Sequence, residues 1–200
     1  QSMEIPLELS FIPIHPGDIL SYGGYHFEVK LLKGHTFGQC GLYEPEKKLM
    51  FVGDQLMTTI VPIVGTQETD LGMLKCYLDS LGDLKHNYKD CYFLPCHYGE
   101  IRNVEKEVNR IILGYLEKCE IMKHVLEEAG TALTTRDIGV RTYGRSQGPP
   151  DYAHFASCTY IWAKTFSCME YMMGEGFVER SERDGIIYWK APSIHFENNR

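Results

Sequence analysis

The chain has 200 residues and a formal net charge of −7 at neutral pH. Residues 1–100 carry 7 basic and 13 acidic side chains and residues 101–200 carry 13 and 14, so neither half has the positive charge that binds a phosphate backbone. The apolar fraction of 44% is ordinary for a globular chain, and no apolar run approaches the roughly 20 residues of a membrane-spanning helix. We therefore expect no nucleic-acid partner and no membrane partner.

The cysteines and the amino terminus predict where the protein resides. The chain has seven cysteines, an odd number without a C-x-x-C pair, and no secretory signal is visible. We therefore expect reduced thiols and a cytoplasmic location. Cys91 and Cys96 could alternatively bind a metal together with a histidine, although a free cysteine is commonly just a small buried apolar residue. Residues 1–3 (Gln-Ser-Met) are typical of an expression-tag remnant and are set aside.

The first hundred residues predict short strands and one helix. Each predicted strand is a short apolar or alternating run next to turn residues. The strands are predicted over 19–22, 25–29, 39–43, 49–52 and 92–94. The dipeptide Gly23-Gly24 between the first two predicts a tight hairpin. Leucines at three- and four-residue intervals predict a helix over 69–84.

The second hundred residues predict helices followed by a hairpin. Apolar stripes predict three helices, over 104–128, 134–140 and 155–173. Gly130 indicates the end of the first helix, and Thr134 or Thr135 is a candidate N-cap for the second. Two strands, over 177–180 and 186–189, are then predicted to form a hairpin. This is the order of a winged-helix unit, so we expect residues 104–200 to form a winged-helix-like helical domain.

Three short patterns contain candidate metal ligands. Each follows a predicted strand and includes a glycine, which lets the backbone turn sharply. The patterns are Lys33-Gly34-His35-Thr36-Phe37-Gly38, Phe51-Val52-Gly53-Asp54 and Pro95-Cys96-His97-Tyr98-Gly99. A single Gly-His or Gly-Asp step is more often a turn, but three in this order on strand ends favour a site made of His35, Asp54 and His97. Imidazole and carboxylate ligands suit zinc, manganese or iron.

In this order the patterns resemble the metallo-β-lactamase superfamily, which has a GHT-x-G loop, a GD loop and a GH loop in succession. The resemblance covers about residues 10–100 and implies the C-terminal half of that domain, over residues 4–103. The fold it implies is α+β, half of a metallo-β-lactamase αββα sandwich followed by the winged-helix-like domain. It also implies that His35 ligates one metal, that Asp54 bridges two and is the catalytic residue, and that His97 ligates the second.

The resemblance implies a metal-dependent hydrolase that acts on a small-molecule substrate. Two zinc ions, or manganese or iron, would activate a water that attacks an ester, thioester, lactam or phosphodiester bond. However, the H-x-H-x-D-H signature that supplies the superfamily's other ligands is not present in the sequence. We therefore expect the 200 residues to be inactive alone, because the other half of the site must come from outside them.

Two competing functions remain. One is a non-catalytic winged-helix module for interaction or dimerisation, and the other is a transcription regulator. The third predicted helix has Lys164 as its one basic residue, which argues against reading DNA. Its larger apolar residues favour a role in the core instead. They are Tyr160, Trp162, Phe166 and Met169.

A half sandwich would leave one sheet face uncovered, which predicts a partner for that face. Soluble monomers rarely expose large apolar patches, so we expect a homodimer. The residues predicted on that face are Phe27, Val29, Leu31, Leu42, Phe51 and Phe93. The Gly- and Pro-rich stretch 143–150 is either a connector or a loop that reaches over the active site.

Overall fold

A computed structural model describes residues 11–66, 72–144 and 152–192. In chain order its elements are β1 (Ile19–Tyr22), β2 (Tyr25–Leu31), β3 (Cys40–Glu44), β4 (Leu49–Gly53), α1 (Met73–Asn87), β5 (Tyr92–Pro95), α2 (Val104–Ala129), β6 (Leu133–Thr134), α3 (Thr135–Tyr143), α4 (Tyr152–Gly174), β7 (Glu179–Arg183) and β8 (Ile186–Lys190). The predicted tag remnant, the first residues of the helix predicted from residue 69 and most of the stretch 143–150 lie outside these ranges.

Strands β1 to β5 form one sheet in the order β1-β2-β3-β4-β5. The first four are antiparallel neighbours, and the hairpin at Gly23-Gly24 is confirmed, with φ of 58° and 83°. Strands β4 and β5 are parallel because α1 connects them as a crossover. Strand β2 runs two residues further than predicted, because Leu31 still pairs with Cys40.

The strand directions place the loops that follow β2, β4 and β5 at one edge of the sheet. Strand β3 is antiparallel to both β2 and β4, so β2 and β4 point the same way, and β5 is parallel to β4. The carboxyl ends of β2, β4 and β5 therefore meet at one edge. The three patterns with candidate ligands follow these three ends.

One face of the sheet packs into the helical core. Met50, Val52 and Phe93 are fully buried in one cluster with Tyr77 of α1 and Tyr115 of α2. The prediction that Phe93 lies on the uncovered face was wrong. Phe93 pairs with Met50, and neighbours across a ladder share a face, so its side chain belongs to the covered side.

The opposite face of the sheet is apolar and partly exposed. Val29, Leu42 and Phe51 lie in one row across β2, β3 and β4. Val29 is fully buried, but 42% of Phe51 is exposed. The ring of Phe27 lies edge-on to that of Phe51, with 5.9 Å between ring centres. Tyr25 and Leu31 extend this surface, which we call the outer sheet face; it comprises Tyr25, Phe27, Leu31, Leu42 and Phe51.

The caps of the predicted helices are confirmed. Helix α2 ends at Gly130, with φ of 60°, and α3 begins after Thr134. The Thr134 side chain accepts from the Asp137 amide at 3.1 Å, while the Asp137 carboxylate accepts from the Thr134 amide, so the two form a capping box. Strand β6 was missed because Leu133 and Thr134 form a strand only by pairing with β8.

The order helix, strand, helix, helix, hairpin follows Val104, with β6, β8 and β7 forming a second sheet. Strand β7 begins at Glu179, two residues later than predicted, and it runs on to Arg183 because the turn consists of Asp184 and Gly185 alone. Whether the unit is a winged helix stays a prediction. No helix within the three described ranges is long and apolar enough to cross a membrane.

A continuous core joins the two predicted domains. The cluster that contains Phe93 extends to Met169 of α4 and Trp189 of β8. The division into two domains, residues 4–103 and 104–200, therefore stays a prediction, and the two parts share one core. The expectation of a buried aromatic stripe on α4 was wrong at Trp162, which is 38% exposed.

Candidate metal centre

The structure brings His35, Asp54 and His97 together at the edge where β2, β4 and β5 end. The Nε2 atom of His35 lies 3.7 Å from Asp54 Oδ2, and the Nε2 atom of His97 lies 3.5 Å from Asp54 Oδ1. The carboxylate therefore lies between two imidazoles, with one oxygen toward each. The predicted convergence is present, while the role of these residues as metal ligands stays a prediction.

Asp54 Oδ1 is a buried acceptor whose surroundings could suit a cation. It accepts no hydrogen bond from any described residue. His97 Nε2 lies 3.5 Å away, which is within the range of an ion pair but too long for a good hydrogen bond. A buried carboxylate oxygen without a donor is costly. A cation bound by the carboxylate and the two imidazoles would remove that cost, so the donor set fits zinc.

The three residues do not form a metal site by themselves. Within the described part of the chain, no group of three or more His, Cys, Asp or Glu side chains, these three included, is arranged to hold a metal ion. The alternative thiol site also lacks support, because Cys91 is buried and burial raises the pKa of its thiol, whereas Cys96 is exposed. A thiol with a raised pKa is a poor metal ligand, since the ligand form is the thiolate.

The orientation of His35 is set by a backbone carbonyl. Its Nδ1 lies 2.8 Å from the oxygen of Ile63. A carbonyl can only accept, so Nδ1 carries the ring proton and donates it to this bond. The lone pair of Nε2 is then free and points toward Asp54, which is the arrangement that a metal-binding imidazole requires.

Two glycines precede the candidate ligands at positive φ, and at Gly34 close approach of the Tyr77 backbone also requires glycine. Gly34 has φ of 142°, and a Cβ there would run into Tyr77 of α1. Gly53 has φ of 57°, and a Cβ there would run into the side-chain amide of Gln39. At the third pattern the prediction was wrong in detail, because Tyr98, with φ of 66°, takes the left-handed conformation and Gly99 does not.

Gln55 is a buried site residue that the sequence analysis missed. Its Oε1 lies 3.5 Å from the amide nitrogen of His35, and its Nε2 donates to the carbonyl of Lys33 at 3.1 Å and to the hydroxyl of Ser80 at 3.0 Å. It therefore ties the loop that carries His35 to α1. The available signal was its position directly after Asp54.

The segment from Asp54 to Ile63, here called the 54–63 loop, joins the Asp54 carboxylate to the carbonyl that orients His35. Side chains from three helices donate to its carbonyl oxygens. The bonds are Tyr77 to Gln55 at 2.8 Å, Arg110 to Met57 at 2.6 Å, Tyr160 to Val61 at 3.1 Å and Tyr115 to Pro62 at 2.6 Å. Burial raises the pKa of Tyr77 and Tyr115, so both hydroxyls stay protonated donors.

The comparisons with known proteins support the fold. No protein-family model matches the chain. A stretch of 40 residues, 20% of the chain, is 50% identical to hydroxyacylglutathione hydrolase GloC of Haemophilus influenzae and spans 19% of that protein. A solved metallo-β-lactamase family protein from Thermus thermophilus aligns with 92% of the chain at a TM-score of 0.76 and 22% identity. A β-lactamase domain protein from Burkholderia ambifaria aligns with 92% at 0.77 and 19%.

The chain shares the fold of these two solved proteins. It spans 55% and 53% of their lengths, so it corresponds to about half of each. The α+β class and the resemblance to this superfamily are supported at the level of the fold. Which half the chain represents, and whether its helical part is a winged helix, remain predictions.

Proposed function

We propose that the chain is part of a metal-dependent hydrolase of the metallo-β-lactamase superfamily, and that His35, Asp54 and His97 are its share of the metal site. The observation that carries this proposal is the Asp54 carboxylate, which lies between two imidazole Nε2 atoms and has one buried oxygen without a hydrogen-bond donor among the described residues. The shared fold and the name of the partial relative, a hydrolase, support the same conclusion.

Each residue has a distinct role in the proposed site. Asp54 directs its two oxygens to opposite sides and would bridge two cations, while His35 and His97 would each ligate one. Zinc bound there supplies a Lewis acid that polarises the substrate and activates water. The Ile63 carbonyl holds His35 in the ligand tautomer, and the 54–63 loop holds that carbonyl.

The substrate class is a small molecule with a bond that water can cleave. Ester, thioester, lactam and phosphodiester bonds are all compatible with the proposed chemistry. We place the thioester first, because the relative that matches 40 residues is named for hydroxyacylglutathione, which is a thioester. The remaining ligands would come from a second half of the domain, so we propose that the 200 residues alone do not hydrolyse these substrates.

Zinc titration of the chain by calorimetry tests the proposal. We expect H35A, D54N and H97A each to lower the zinc affinity by about tenfold or more, since each removes a ligand. The matched control is H26A, an exposed histidine that contacts Ser21 in the β1–β2 hairpin. Equal zinc binding by the chain and by D54N would contradict the proposal.

The second candidate is a non-catalytic module that binds a partner or dimerises. The partly exposed outer sheet face favours it, because that surface needs a cover. The two candidates differ in zinc binding at the Asp54 site, which only the hydrolase requires. We propose no nucleic-acid partner for either, since Lys164, the one basic residue in the described part of α4, is almost fully buried.

A further inference from the structure

A cavity of about 570 Å³ lies where the start of α3, the middle of α4 and the β7–β8 turn meet. Its size is within the range of small-molecule pockets, which are roughly 300–1,000 Å³. It is separate from the proposed metal residues, none of which lines it. It belongs to the helical part of the chain, to which the proposed function assigns no ligand.

The walls of the cavity present apolar groups to solvent. Trp162 and Phe166 of α4 form one side, and Ile186 at the start of β8 forms another. Trp162 is 38% exposed and Ile186 is 49% exposed. Apolar side chains that line a concave surface and stay accessible are typical of a site that binds the apolar part of a ligand.

The polar groups of the cavity favour an anion. Arg136 lines it and is exposed, and it has no hydrogen-bond or ion-pair partner among the described residues. The hydroxyl-bearing residues Thr134 and Thr135 lie beside it, and none of the described residues that line the cavity is acidic. The neighbouring Asp137 carboxylate accepts hydrogen bonds from Thr134 in the cap of α3 and forms no ion pair with Arg136.

The cavity is formed by packed elements that hold its shape. The indole nitrogen of Trp189 donates to the Thr135 hydroxyl at 2.9 Å, and the Trp189 ring contacts that of Phe166 edge-on at 5.9 Å. Helices α3 and α4 approach closely at Gly139, where a Cβ would lie 3.0 Å from the Thr165 hydroxyl. A ligand would therefore meet a preformed surface, which reduces the entropy lost on binding.

We propose that this cavity binds a small amphipathic anion, with an acyl or aromatic body against Trp162 and Phe166 and an acidic head group at Arg136. The apolar walls account for the body, and the Arg136 guanidinium beside the Thr135 hydroxyl accounts for the charge. The proposal does not depend on zinc or on hydrolysis. The cavity also reaches Thr66, which follows Gly65, whose amide donates to the carbonyl of Gly34 beside His35.

Titration with decanoate, monitored by tryptophan emission, tests this site. Trp162 lines the cavity, and Trp189 is fully buried, so a saturable change that W162F abolishes reports the cavity itself. We expect R136Q to weaken decanoate binding by about tenfold, because a charge-assisted bond is lost. Decanol, which has the same chain without the charge, should bind the original chain and R136Q equally.

The controls separate the site from general effects. R141Q removes another exposed arginine of α3 that does not line the cavity, and its decanoate affinity should be unchanged. A163L fills the cavity and should abolish binding of both probes, with circular dichroism confirming that the variant is folded. The proposal is overturned if the original chain shows no saturable change, if R136Q binds decanoate normally, or if decanol binds as tightly as decanoate.

Discussion

At the candidate metal centre, individual atoms of Asp54 and His35 differ in their hydrogen bonding. One Asp54 oxygen is buried without a donor among the described residues, and one nitrogen of His35 is occupied by the Ile63 carbonyl, so the remaining nitrogen is available. A free imidazole exchanges its proton between two nitrogens, whereas this ring is restricted to one form. The undonated oxygen Oδ1 lies beside His97, and the available nitrogen of His35 lies beside the other oxygen, Oδ2.

The tautomer of His35 is directly measurable. We expect long-range ¹H–¹⁵N NMR near pH 8 to show a protonated Nδ1 and an unprotonated Nε2, because the Ile63 carbonyl can only accept. The exposed His86 gives the reference for a ring without this constraint. A protonated Nε2 at His35 would show that the ring cannot offer that nitrogen to a metal.

Substitution of Gly53 separates the effect of the nearby Gln39 side chain on stability from the effect of the positive φ. G53A places a Cβ against the Gln39 amide, whereas G24A, also at positive φ, meets open space. The positive φ alone costs about 1–2 kcal/mol in either variant. We expect urea denaturation to show a larger loss of unfolding free energy in G53A than in G24A, and zinc affinity to fall in G53A alone. Equal losses would mean that Gln39 moves away at no cost.

Helices α1, α2 and α4 act on the site through the 54–63 loop. Tyr115 and Tyr160 lie in the part of the chain that was predicted as a separate domain, yet their hydroxyls hold the carbonyls of Pro62 and Val61. The oxygen that orients His35 belongs to the next residue, Ile63. The helical part of the chain is therefore a structural support of the candidate metal centre.

Tyr115 can be compared with a buried tyrosine that lacks an acceptor. Y115F leaves the buried Pro62 carbonyl without its donor, which we expect to lower the unfolding free energy by about 1–3 kcal/mol. The control is Y143F, since the Tyr143 hydroxyl is buried without a hydrogen-bond partner in the described structure. Its stability should change by less than about 0.5 kcal/mol.

A second measurement on the same two variants reports the loop itself. Hydrogen exchange of the amides between residues 55 and 65 should accelerate in Y115F and stay unchanged in Y143F, because only Y115F releases the loop. Zinc affinity should fall in Y115F. Unchanged exchange in both variants would mean that Tyr115 does not position this loop.

At the scale of the whole molecule, the outer sheet face is an apolar surface that stays partly exposed in the described structure. Burying each apolar side chain there is worth roughly 1.5–3 kcal/mol. This chain covers only 55% and 53% of the two similar solved structures, so a second half of the domain is one cover and a second copy is another. For the 200 residues alone, we propose the second copy, in a homodimer.

Light scattering of the chain tests the homodimer. We expect a dimer mass for the original sequence and a monomer mass for F51K, because a lysine at the centre of the outer sheet face opposes its burial. L113K changes a more exposed apolar residue on α2, outside that face, and should leave the dimer intact. A monomer mass for the original chain would rule out the second copy as the cover.

The sequence by itself determined the local features of this protein. Alternating runs and turn residues located β1 to β5 within a few residues, because strand pairing follows a period of two and turns need specific residues. Gly34 and Gly53 marked the turns that carry His35 and Asp54. Since each ligand follows a strand within a few residues, its position relative to that strand was local information.

Tertiary structure alone decided which distant residues meet. Phe93 belongs to the covered face because of its register with Met50, and a shift of one residue would have reversed it. Tyr115 is 53 residues from Pro62, and Tyr160 is 99 residues from Val61, so no local pattern predicts their bonds. The cavity beside Arg136 likewise arises only when α3, α4 and the β7–β8 hairpin pack together. Such contacts depend on the complete set of packing interactions, which a sequence pattern of a few residues does not contain.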